Sequence, residues 1–149
     1  MNPKNLFVML GVALLIVLAG CNLFGGGQVT LEGAERDAVL AYATEMGDNL
    51  ISGITSRDYS VFSRDFDAVM KDGMDEAAFQ NLLVTFDEKL GAYQSHEISS
   101  VLQDGDYDMV IYRLAYEKDD LVTMRIVFNR EAPHLISGLW FDSPELRKN

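Results

Sequence analysis

The spacing of apolar residues changes once along this chain, at Gly91, and that change sets the fold class. Ahead of Gly91 the apolar residues recur every three to four positions. From Ala34 to about Ile54 they are Val39, Leu40, Ala43, Met46, Gly47, Leu50, Ile51 and Ile54, with Glu35 and Asp37 in the first turn, where the helix dipole favours acids. A shorter segment capped by Asp58 carries Phe62 and Phe66, with a broken continuation over Asp67 to Asp72. The next helix has the strongest end signals. Asp75 is its N-cap, Met74 and Phe79 hold the staple positions, Leu82, Leu83, Phe86 and Leu90 share a face, and Gly91 stops it.

Beyond Gly91 the period is two. Four runs read as strands: about Tyr93 to Leu102, Tyr107 to Glu117, Leu121 to Phe128 and Leu135 to Phe141. Asp104-Gly105-Asp106 and Lys118-Asp119-Asp120 are short hairpin connections, and Asn129 to Pro133 is a longer one. Helices followed by a meander predict an α+β fold in which an antiparallel sheet wraps over the helices. In the third run Val122, Met124, Ile126 and Phe128 share the core face. On the other face Val127, joined by Tyr112 and Tyr116, is expected to form a second contact surface.

The first twenty residues are of a different kind. Lys4 is their only charge, and Leu6 to Ala19 are apolar apart from Gly11, too short to span a bilayer and typical of an export signal. The run ends at Leu18-Ala19-Gly20-Cys21, which resembles the lipobox of prokaryotic lipoproteins. That resemblance implies diacylglyceryl transfer to Cys21 and cleavage before it by a signal peptidase that reads Leu18, Ala19 and Gly20. Cys21 is the only cysteine, so no disulfide forms within the chain. The triple glycine between Asn22 and Gly33 reads as a tether rather than a phosphate loop, since no Gly-Lys-Ser/Thr follows. The expected organisation is a signal over 1–20, a lipidated Cys and tether over 21–33, an α+β domain over 34–143 and a tail over 144–149. The domain is then extracytoplasmic and held at the cell membrane, or at an outer membrane if the host has one.

Charge narrows the partners. From Cys21 onward 11 basic side chains face 23 acidic ones, a net charge near −12. Such a surface repels phosphate, and no basic cluster offsets it, which argues against nucleic acid and against electrostatic docking on lipid.

The order of a long first helix, "DYSVFSRDF", "FQNLLVTFDEKLGAY" and a meander ending "ISGLWF" resembles the domain of unknown function 3887 family, over roughly Ala34 to Phe141. The resemblance implies a nuclear-transport-factor-2-like cone: three N-terminal helices packed on a curved four-stranded antiparallel sheet, with an apolar pocket at the wide end. It implies no settled activity, since the wider superfamily hosts both enzymes and binders.

No set of residues forms a catalytic, cofactor or metal signature. Asp104, Asp106 and Asp108 have calcium-loop spacing, but Met109 stands where that loop needs Gly and Ala115 where it needs Glu. His96 and His134 lack partners at ligand spacing, Glu97 pointing to the opposite face from His96. The aromatic set Tyr42, Phe62, Phe66, Phe79, Phe86, Tyr93 and Trp140 follows the core periods, with Tyr93 and Trp140 the expected exceptions. Candidate pocket residues are Tyr93, Tyr112, Tyr116, Arg125 and Trp140. The leading expectation is a non-catalytic module that binds a small apolar ligand or another envelope protein. The alternatives are a small hydrolase or isomerase using a pocket Tyr/Arg set, and a structural homodimer formed through the sheet face.

Overall fold

A computed structural model describes residues 27–148. The signal segment, its recognition residues Leu18, Ala19 and Gly20, and Cys21 lie outside the described residues. Helix α1 spans Gly33–Ser56 and ends on Arg57, whose left-handed backbone (φ 61°) lets its amide reach the Gly53 and Ile54 carbonyls. The second expected helix divides in two, giving four helices rather than three. Helix α2 (Tyr59–Phe62) is capped by Asp58, whose carboxylate accepts from the Ser60 and Val61 amides. Helix α3 (Ala68–Gly73) is capped by Asp67, which accepts from Met70. The break between them has a tertiary cause. Phe66 bridges to Ile136 in parallel, the Asp67 amide donates to the Ile136 carbonyl (2.9 Å), and the Ile136 amide donates to Asp65 (2.8 Å). Helix α4 (Glu76–Lys89) begins at the Asp75 cap as expected and is followed by Gly91 at φ 75°.

The sheet has five strands rather than four, in the order β1-β2-β3-β4-β5, and all neighbours pair antiparallel. Strands β2 (Tyr93–Asp104), β3 (Tyr107–Tyr116), β4 (Val122–Asn129) and β5 (Ile136–Asp142) follow the expected runs. The additional strand, β1 (Val29–Thr30), falls in the stretch read as tether. It pairs with Leu102 and Gln103 of β2, and Leu31 after it is buried. The ordered domain therefore begins before Ala34.

The core lies between the sheet and α1, α2 and α4. Phe62, Phe66, Phe79 and Phe86 are buried, with Phe62 stacked on Phe79 at 4.5 Å. Val122, Met124, Ile126 and Phe128 all face this core, as their alternation predicts. Fully burying side chains of this kind stabilises by roughly 1.5–3 kcal/mol each before chain entropy is counted. The tail is also fixed. Ser143 is buried, Leu146 packs against the core, and Lys89 Nζ donates to the Leu146 carbonyl (3.2 Å).

Candidate functional site

Helix α1 runs the length of the core and has a concavity beside each end. At its C-terminal end an opening of about 310 Å³ is lined by Ile54, Thr55, Leu83, Phe86, Ala92, Tyr93 and Tyr116, among others. Ile54, Leu83, Phe86 and Tyr116 are core residues, so its floor is apolar. The rim carries an ion pair, Arg57 Nη1 lying 3.2 and 3.0 Å from the two Asp87 carboxylate oxygens. Tyr93 meets Tyr116 edge to face at 5.6 Å.

The Tyr93 hydroxyl belongs to a polar chain. Its oxygen lies 2.6 Å from His96 Nδ1, and His96 Nε2 lies 3.1 Å from Asp48 Oδ1 on α1. The ring of Tyr112 packs edge-on against His96 at 5.8 Å. Burial, then the Asp48 charge, push the Tyr93 hydroxyl above its ordinary pKa, so it stays protonated across the physiological range.

At the other end of α1 a cavity of about 400 Å³ is bounded by Leu31, Val39, Tyr42, Asp108, Arg130 and His134, among others. The Tyr42 hydroxyl donates to the buried Asp108 carboxylate (2.9 Å), and Arg130 Nε lies 3.7 Å from the same oxygen. His134, at φ 60°, stacks on Tyr42 with centroids 3.9 Å apart and ring planes 8° from parallel. Burial, then the bond to Asp108, raise the Tyr42 hydroxyl pKa. Asp108 points inward here, while Gly105 and Asp106 form the two-residue turn closed by the Asp104–Tyr107 pair. The three aspartates thus do not converge as a calcium loop would. Among the described residues no three His, Cys, Asp or Glu side chains are placed to hold a metal ion.

The five expected pocket residues divide into three groups. Tyr93 and Tyr116 share the first concavity. Tyr112 is fully buried, its hydroxyl 3.5 Å from the Ala43 carbonyl. Because Tyr112 pairs with Met124, Tyr112 and Tyr116 face the core rather than joining Val127 on a second surface. Arg125 and Trp140 are cross-strand neighbours on the outer face, the guanidinium lying 4.7 Å from the ring centroid, and Trp140 is 51% exposed. Tyr112 and Arg125 therefore lie on opposite faces of the sheet and form no joint Tyr/Arg set. Arg113 pairs with Glu97 (3.2 Å), whereas Arg125 Nε is buried without a hydrogen-bond partner.

Sequence reasoning missed Asp48 and Arg130, and weighed Asp108 only as part of a calcium-loop spacing. Asp48 looked like any acid on a helix surface, and only the docking of β2 brings His96 to it.

The fold is a small α+β domain in which helix α1 has an apolar opening beside one end and a polar cavity beside the other. A family model described as a protein of unknown function, DUF3887, matches residues 47–133. That span exceeds half of the 149 residues, and the chain belongs to this family. It contains Asp48, Tyr93, His96, Asp108 and Arg130 and stops short of His134 and Trp140. No curated protein and no solved structure matches the chain significantly.

Proposed function

We propose that this chain is a lipid-anchored extracytoplasmic binding module, a nuclear-transport-factor-2-like cone that holds a small apolar molecule at the C-terminal end of α1. The observation that carries this reading is the opening of about 310 Å³ floored by Ile54, Leu83, Phe86 and Tyr116. Its volume falls at the lower end of the roughly 300–1,000 Å³ of small-molecule sites, and an apolar lining with few polar groups is their usual composition. The anchor rests on the Leu18-Ala19-Gly20-Cys21 tetrad, the apolar run before it and the single cysteine. Among the described residues no helix is long and apolar enough to cross a membrane. Two acyl chains on Cys21 would hold the domain stably where one would not.

Native mass spectrometry of the lipoprotein, gently extracted from its host, tests both parts. The expected result is a lipidated Cys21 at the mature N-terminus and a bound small mass that an Ala92→Trp variant, which fills the opening, no longer carries. An unlipidated N-terminus overturns the anchor, and a bare monomer overturns the ligand.

A second reading is supported by the outer sheet face, where exposed Trp140 and half-buried Arg125 are of the residue types that dominate interface energetics. On this reading the face docks a second copy or an envelope protein. Sedimentation of the full chain in nanodiscs distinguishes it, a monomer at tens of micromolar arguing against a homodimer.

A further inference from the structure

The hydrogen-bond chain from Asp48 to Tyr93 sets which hydrogen-bonding role is left to the Tyr93 hydroxyl. Asp48 is a carboxylate and only accepts, so the His96 nitrogen 3.1 Å from it, Nε2, bears the proton in the neutral ring. Nδ1 is then the lone-pair nitrogen. The Tyr93 hydroxyl, 2.6 Å away, donates its only proton to it. What remains on the Tyr93 oxygen is a lone pair. A phenol with a free proton could serve either a donor or an acceptor on a ligand; this one offers an acceptor alone.

The other tyrosines do not share this arrangement. The hydroxyls of Tyr42, Tyr59 and Tyr112 lie against Asp108, the Met74 carbonyl and the Ala43 carbonyl, Tyr116 is buried in the floor of the opening, and Tyr107 is exposed at the start of β3, away from it. Tyr93 lines the opening and is only half-buried. Resting on the proposed reading of this cavity as the ligand site, we propose that Tyr93, set by His96 and Asp48, selects apolar molecules that carry a hydroxyl or N–H donor over those whose only polar atom is an ether or carbonyl oxygen. A donor on the ligand gains a hydrogen bond to the Tyr93 oxygen. An acceptor placed there meets a lone pair and forfeits its hydration. One neutral hydrogen bond corresponds to a preference of about three- to tenfold. Asp48 and His96 are positioning residues in this scheme, and Tyr93 makes the contact.

The test uses two probes that share one ring system, 1-naphthol and 1-methoxynaphthalene; they differ in the hydroxyl proton and in one methyl group, whose contribution is read from the Tyr93→Phe variant. Their binding to the full chain in nanodiscs is measured by equilibrium dialysis, with empty nanodiscs subtracted. The expected result is that the affinity ratio of 1-naphthol to 1-methoxynaphthalene is about three- to tenfold higher for the unaltered protein than for Tyr93→Phe. Tyr93→Phe removes the preference while leaving 1-methoxynaphthalene binding in place. His96→Leu frees the Tyr93 proton and raises 1-methoxynaphthalene affinity, a change that a merely structural role for His96 would not produce. Ala92→Trp abolishes both signals, placing them in the opening. An affinity ratio that Tyr93→Phe leaves unchanged overturns the selection rule and leaves the cavity reading standing. Absence of any binding above the nanodisc blank overturns the cavity reading and the rule together.

Discussion

The Tyr112 hydroxyl ends against the backbone of α1 at Gly47, where a β-carbon would lie 2.1 Å from the phenolic oxygen and 2.7 Å from the ring carbon that bears it. The helix and the sheet approach this closely because residue 47 has no side chain. Alanine is the better helix former by about 1 kcal/mol, so helix propensity alone makes Gly47→Ala stabilising. The contact predicts the opposite, a net loss of about 2 kcal/mol from overpacking. Urea unfolding of Gly47→Ala, Tyr112→Phe and the double variant checks this. The double variant is expected to lose less than the two single losses added together, and strict additivity would contradict the contact.

Asp108 ties three segments together, accepting from Tyr42 on α1 and facing Arg130 in the loop between β4 and β5. Asp108→Ala strands the Tyr42 hydroxyl, while Arg130, half exposed and bonded to the Gly105 carbonyl, stays solvated, and the change is expected to cost about 2 kcal/mol. Tyr42→Phe removes one donor and is expected to cost about 1 kcal/mol. Because the carboxylate is spent on these partners, millimolar calcium should leave the melting temperature unchanged. A calcium-dependent rise would restore the loop reading of Asp104, Asp106 and Asp108.

Acid sensitivity should arise in part at Asp119, which is buried in the turn between β3 and β4. Burial alone would raise its pKa, but the Leu121 and Glu145 amides (2.9 and 3.1 Å), the Ser143 hydroxyl and the Lys148 charge together hold it below the ordinary carboxylate value. A depressed folded-state pKa gives stability that is complete above the unfolded value of about 3.9 and is lost as pH falls through the folded value. Asp119→Asn is therefore expected to be less stable than the unaltered protein at pH 7 by about 1–2 kcal/mol, with the gap closing as the pH falls below about 4. Chemical unfolding at pH 7, 5 and 3 reads the gap directly, and one that stays constant would rule out this origin.

What could be read from the sequence was what neighbouring residues determine. The caps at Asp58 and Asp75 act within three positions of themselves, and each forms the expected kind of bond, whereas the Asp67 cap of α3 was read only as part of a broken continuation. The hairpins were legible for the same reason. The face of β3 was not, because alternation groups Val110, Tyr112, Leu114 and Tyr116 without saying which side the helices cover. That is decided by pairing Tyr112 with Met124 and Leu114 with Val122. Strand β1 was illegible because two residues after a glycine run carry no periodicity, and their ladder exists only where β2 continues to Gln103. The candidate site was half legible. Tyr93 and Tyr116 were named by their strand positions, whereas Asp48 takes its role from a partner 48 residues away.

Strand β1 bears on the proposed anchoring. Were Cys21 lipidated, about seven residues, Asn22 to Gln28, would separate it from β1, a number that spans at most about 25 Å. The attachment would then enter the fold at the Gln103 end of β2, and Tyr93 lies ten residues back along the same strand, roughly 30 Å away at about 3.3 Å per residue. On the proposed reading the apolar opening would thus sit at the seaward end of a short-moored body, and its cargo would board from the water rather than by stepping sideways out of the bilayer.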